Sequence, residues 1–97
     1  MVVGVLRLRL HLPSSSSLKE KRRIVRSVID RLKSRFEVAV AEVEEMDKWQ
    51  VATLGIAAIS NDTRHANEVL DKALDFVEAG PWEAQVIQSE LELLHVF

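Results

Sequence analysis

Residues 18–36 read LKEKRRIVRSVIDRLKSRF, and the spacing of their apolar side chains decides the fold. Leu18, Val25, Val28, Ile29, Leu32 and Phe36 recur with a 3.6-residue period, with Ile24 on the flank, which predicts one amphipathic helix packed on a core. Ser17 and Glu20 have the S-x-x-E spacing of a capping box, so the helix is expected to begin at Leu18. Eight basic residues stand in it: Lys19, Lys21, Arg22, Arg23, Arg26, Arg31, Lys33 and Arg35. Only Glu20 and Asp30 oppose them, so the segment carries +6 while the chain as a whole carries −2; the remainder is therefore at −8.

Outward from the helix the pattern changes to a period of two. In residues 2–12, Leu6, Leu8, Leu10 and Leu12 alternate with Arg7, Arg9 and His11, the signature of a half-buried strand. Pro13 ends it and Ser14 to Ser17 form a turn. After the helix, EVAVAEVEEM (37–46) and WQVATLGIAAIS (49–60) predict two more strands. A two-residue loop at Asp47-Lys48 sets Met46 opposite Trp49, Glu44 opposite Val51 and Glu42 opposite Thr53; the absence of glycine there leaves a longer loop open. Asn61-Asp62 signals a turn and helix cap. A second helix is predicted from about Thr63 to Ala79, with Ala66, Val69, Leu70, Ala73, Leu74 and Val77 inward. Gly80 is placed for a left-handed C-terminal cap, Pro81 blocks continuation, and Trp82 packs at that corner. A last strand covers 84–97, where Leu91 and Leu93 alternate with Glu90 and Glu92.

The element order is βαββαβ. Two right-handed βαβ units joined by a hairpin give an antiparallel four-stranded sheet of order 4-1-3-2 with both helices on one face. The fold class is α+β, a ferredoxin-like sandwich forming a single domain over 1–97. The chain has no cysteine, so disulfide and thiolate chemistry are excluded. No apolar run approaches the roughly 20 residues of a membrane span. Arginines interrupt the N-terminal MVVGVLRLRLHL before it becomes a signal-peptide core, and a cytoplasmic protein is expected.

LHLPSSSSLKEKRRIVRSVIDRLKSRF followed by VAVAEVEEMDKWQVATLGIAAISND resembles the YlxP-like family of small bacterial proteins. The resemblance spans nearly the whole chain. Its most specific parts are Leu12-Pro13, Ser17-Leu18-Lys19-Glu20-Lys21-Arg22-Arg23, Ala41-Glu42-Val43 and Trp49-Gln50. The family is a domain of unknown function often encoded near ribosome-maturation and translation-initiation genes. The resemblance implies a link to RNA or the ribosome and carries over no assigned active site.

Three surfaces follow from the residues. On a helical wheel Lys19, Arg22, Arg23, Arg26 and Lys33 share one stripe beside the apolar face, suited to phosphate groups. The competing reading is a solvated or ion-paired helix face; Glu68, Asp71, Asp75 and Glu78 form an acidic stripe on helix two that either neutralises the first or faces away from it. Lys19, Lys21, Arg22 and Arg23 also crowd a helix N-terminus, where the macrodipole disfavours cations. A small anion held by Ser17, the other loop hydroxyls and the backbone N–H groups would relieve that cost. The alternative there is a capped loop whose lysines extend into water. The third surface is the open sheet face and hairpin end, where Val38, Val40, Met46, Trp49 and Val51 beside Glu42 and Glu44 suit a protein partner or a homo-oligomer. Arg7 and Arg9 are expected to pair across strands with Glu90 and Glu92, and no aromatic stands mid-strand to stack bases.

No catalytic, cofactor or metal residue is indicated. His11, His65 and His95 lie in three elements without metal-motif spacing. The leading expectation is a non-enzymatic protein binding RNA or ribosomal particles through Lys19, Arg22, Arg23, Arg26 and Lys33. The alternative is an interaction module working through the sheet face around Trp49.

Overall fold

The computed structural model describes all 97 residues. Its order is β1 (Val2–His11), α1 (Leu18–Arg35), β2 (Ala39–Glu44), β3 (Val51–Ser60), α2 (Thr63–Ala79) and β4 (Gln85–His95). The sheet order is β2-β3-β1-β4, which is the expected order read from the other edge, and every pairing is antiparallel. Both helices lie on the face lined by the even-numbered residues of β1. Leu6, Leu8, Leu10 and Leu12 meet Ala52, Leu54 and Ile56 of β3, and all are buried beneath Ile24, Val25, Val28 and Leu32 of α1 and Leu70, Ala73 and Val77 of α2. Period-two and period-3.6 patterns thus converge on one core, as a two-layer sandwich requires.

Ser17 caps α1 as its spacing predicts: its hydroxyl accepts the Glu20 amide N–H at 3.1 Å. The reciprocal half is displaced by one residue, because the Glu20 carboxylate accepts from the backbone and hydroxyl of Ser16. Asp62 caps α2 by accepting the Arg64 N–H.

Three local expectations are corrected. First, the longer of the two loops left open holds, but the two-residue register does not: β2 ends at Glu44, not Met46, and the connection to β3 runs over residues 45–50. Glu42 pairs with Leu54 and Glu44 with Thr53, with a bulge at Val43 between them. The bulge reverses the alternation: Val40 and Glu42 face the helices, whereas Glu44 faces outward. Glu45 follows with φ 60°, the left-handed conformation that L-residues rarely adopt. Second, Arg9 does not meet Glu92, which lies opposite Val5; Arg9 pairs with Glu45 instead. Third, Gly80 is not left-handed; its φ is −71° and its ψ 154°. Glycine is required there because a Cβ would overlap the Trp82 indole, which lies directly on the Gly80 backbone.

Candidate functional site

The eight cations of α1 fall into four environments, decided by where each lies around the helix. Lys21 sits four residues before Val25 and seven before Val28, on the meridian of the core. Its side chain is 1% exposed. Its ammonium lies 2.9 Å from Glu42 Oε2 and donates a 2.6 Å hydrogen bond to the Glu45 carbonyl. The Glu42 contact is an ion pair by distance but falls outside hydrogen-bond angles, leaving that oxygen without a donor. Lys21 is therefore removed from any anion-binding set. It holds the bulge and the left-handed residue at the end of β2 from beneath.

Arg23, at the edge of the cationic face, leans toward the α2–β4 connection and pairs with Glu83 at 3.2 Å, both side chains being more than half exposed. Arg31 and Arg35 cover the seam between the helices. The Arg31 guanidinium lies 5.3 Å from the centre of the Trp82 ring and that of Arg35 lies 5.2 Å from Phe76, both in cation–π range. Phe36, Phe76 and Trp82 form an edge-to-face series with centroids 5.7 and 5.6 Å apart. The seam is aromatic, and none of the ion pairs joins α1 to α2. The acidic stripe of Glu68, Asp71, Asp75 and Glu78 is exposed on α2 and does not neutralise α1.

Lys19, Arg22, Arg26 and Lys33 remain. All four are exposed and none is ion-paired. They occupy i, i+3, i+7 and i+14, one face of α1 spanning about 21 Å along its axis. Asp30 is the acidic residue among them. Lys19, Arg22, Arg23, Arg26, Ser27 and Asp30 border one open basin on this face. Arg22 and Arg26 also flank a hollow above Glu42, at the β2 edge of the sheet.

The loop before α1 is closed on itself. Ser14 donates to Glu83, Ser15 is buried and donates to the Ser17 carbonyl, Ser16 donates to Glu20, and Ser17 accepts from the Glu20 backbone. Gln50 straps the loop from outside through its Nε2, 3.2 Å from the Ser15 carbonyl. The first turn of α1 already holds a carboxylate, that of Glu20, which satisfies the dipole without a bound anion. Ser17 is thus a cap, and the crowding of lysines there is relieved from within.

On the open sheet face the arginines are engaged. Arg7 lies between Glu90 at 2.5 Å and Glu44 at 3.1 Å. These bonds, that to Glu90 first, hold its guanidinium above its ordinary pKa. Arg9 grips Glu45 with both arms of its fork, at 2.9 and 3.2 Å, and Thr53 donates to the same carboxylate. The Arg9 bonds draw the Glu45 carboxyl below the ordinary carboxylate range, against the opposing effect of desolvation. Glu45 is thereby fixed on both sides of the sheet: its carbonyl by Lys21, its carboxylate by Arg9.

The expected interaction patch at the hairpin is divided. Met46 and Trp49 are exposed in the loop, Trp49 at 54%, but Val51 is half-buried and Val40 is buried against the helices. Val40 is corrected out of the patch because β2 directs its even residues inward before the bulge. A different apolar row stands on the same face. Val3 pairs with Ile59 on one side and Leu94 on the other, and Ile59 is 73% and Leu94 46% exposed. Sequence reasoning missed this row, although the odd-numbered alternation of β1 contains its signal. His11 and His95 lie at opposite ends of the sheet, His11 beside Gln85 and His95 beside Val2.

A family model described as "Protein of unknown function (DUF503)" matches residues 3–91. The chain is also 33% identical over 67 residues to "Uncharacterized protein YlxP" of Bacillus subtilis (strain 168), an alignment covering 69% of this chain and 73% of that protein.

Proposed function

The chain belongs to the family of proteins of unknown function DUF503, and from that premise we propose that it is a non-catalytic protein that binds the phosphate backbone of RNA along Lys19, Arg22, Arg26 and Lys33. One observation carries this reading: on a chain of net charge −2, four cations share a helix face with no anionic partner. Aligned cations of this kind attract a polyanion by releasing its condensed counterions, with little dependence on base identity. RNA is chosen over other polyanions because the family resemblance implies a neighbourhood in translation. The sheet face contributes little to phosphate binding, since Arg7 and Arg9 already have carboxylates. Co-sedimentation with ribosomal particles across a salt series tests the reading. Association is expected to weaken steeply with salt and to be lost on charge reversal at Arg22 and Arg26; association unaffected by that reversal contradicts it.

The row Ile59–Val3–Leu94 favours a second reading, self-association through the open sheet face. Light scattering separates the two. A dimer abolished by Ile59→Lys and kept by Trp49→Ala supports sheet stacking away from the hairpin; a strict monomer in the wild type eliminates it.

A further inference from the structure

Beside the cationic stripe, on the flank of α1 that faces α2, lies a cleft of about 120 Å³ lined by Arg23, Ile24, Ser27, Arg31, Pro81, Trp82 and Glu83. It shares Arg23 and Ser27 with the basin that holds Lys19, Arg22 and Arg26. The cleft is therefore continuous with the phosphate-binding face proposed above. Its far wall is the Trp82 ring with the Arg31 guanidinium over it.

Trp82 is held with unusual completeness for a residue that follows a helix end. Its indole N–H donates 2.7 Å to the Val77 carbonyl in the last turn of α2, an acceptor shared with the longer 3.4 Å bond from the Gly80 N–H. Phe76 meets it edge-on, and the absent side chain of Gly80 gives it room against the backbone. It is nevertheless only partly buried. A fixed, partly exposed aromatic carrying a guanidinium plane, beside a row of phosphate-binding cations, is the combination used to receive unstacked bases.

We propose that this cleft receives a nucleobase of single-stranded RNA, stacked on the Arg31–Trp82 pair, while the adjoining phosphates lie on Lys19, Arg22 and Arg26. The inference rests on the polyanion reading above and narrows it to single strands, because a base paired within a duplex cannot leave its stack to enter. Ser27 and Glu83 at the rim supply a hydroxyl and a carboxylate to the base edge. Arg23, whose exposed pair with Glu83 is readily exchanged, is placed to turn from that carboxylate to a phosphate.

Trp49 and Trp82 are the two tryptophans of the chain, so Trp49→Phe leaves Trp82 as the sole tryptophan reporter. In that background we would titrate a twelve-nucleotide single-stranded RNA, the same sequence as a duplex, and inorganic polyphosphate. The single strand is expected to quench Trp82 fluorescence, and polyphosphate to bind without quenching. Trp82→Leu removes the ring that supports the Arg31 plane on which the base lies; it is expected to weaken the single strand several-fold and to leave polyphosphate affinity unchanged. Arg31→Lys keeps the charge and removes the plane; it is expected to weaken the single strand several-fold with polyphosphate again unchanged, which keeps the test open if Trp82→Leu fails to fold. Equal binding of all three ligands with silent Trp82 overturns this inference and spares the polyanion reading. Failure of every ligand to bind overturns both.

Discussion

Arg7 and Arg9 on β1 and Arg22 and Arg26 on α1 have the same side chain in opposite circumstances. The strand arginines are each matched to carboxylates: Arg7 lies between Glu44 and Glu90, and Arg9 holds Glu45 in a bidentate grip. The helix arginines have none. Counting charge would rank the two pairs equally, but partnership separates them. A matched guanidinium builds a corner of the fold, and an unmatched one on an exposed face is free to meet a ligand's charge. Lys21 is the extreme of the first kind, a cation taken wholly into the interior to fix Glu42 and the end of β2.

The contrast can be broken at several points. The largest effect is expected at Lys21. Lys21→Met keeps the length of the side chain and strands Glu42 facing the core; removing one member of a buried pair costs about 3 kcal/mol. Urea denaturation measures it, and adding Glu42→Leu to make an apolar pair should restore most of the loss. Next comes Arg9→Gln, which releases Glu45. In the wild type the Glu45 pKa is lowered on folding, so its stabilising contribution is present above the ordinary carboxylate value and is lost as pH falls through the folded value, below about 4.5. Arg9→Gln is expected to raise the pH midpoint of acid unfolding and to leave RNA affinity unchanged. A large fall in RNA affinity would show that the strand arginines also serve the ligand. The smallest structural effect belongs to the helix face: Arg22→Glu with Arg26→Glu should change stability by no more than about 0.5 kcal/mol per site, as for other exposed positions without partners.

The fold was legible because its two periodicities do not compete. Leu6 to Leu12 alternate cleanly, the α1 stripe from Val25 to Leu32 repeats at helical spacing, and Ser17, Asp62 and Pro81 punctuate the ends. The β2–β3 register was not legible, because the bulge at Val43 and the left-handed Glu45 carry no glycine or asparagine to mark them. They persist because Lys21, Arg9 and Thr53 hold them from three sides, a tertiary effect that local sequence does not contain. The burial of Lys21 had a signal that charge obscured. Lys21 lies on the meridian of Val25, Val28 and Leu32, and Glu42 continues the inward alternation of Val38 and Val40. Read by position rather than polarity, the two residues point at each other. Helical spacing places five cations in the stripe, and the fold leaves four of them unpaired, since the reach of Arg23 to Glu83 depends on how the α2–β4 connection folds back. The Trp82 corner was placed correctly, but the reason for Gly80 lay in ring packing, not in a helix cap.

The central claim is that Lys19, Arg22, Arg26 and Lys33 act together on a phosphate backbone. It is tested most directly by the salt dependence of binding to single-stranded RNA, in the wild type and in the charge-reversed Arg22→Glu/Arg26→Glu protein. Single strands give a logarithmic slope of about −0.7 for each phosphate neutralised, so four cations predict roughly −3. The double reversal is expected to leave a slope of no more than about half that value, with binding lost at moderate salt. A slope near zero in the wild type, or the same slope in both proteins, would contradict the account.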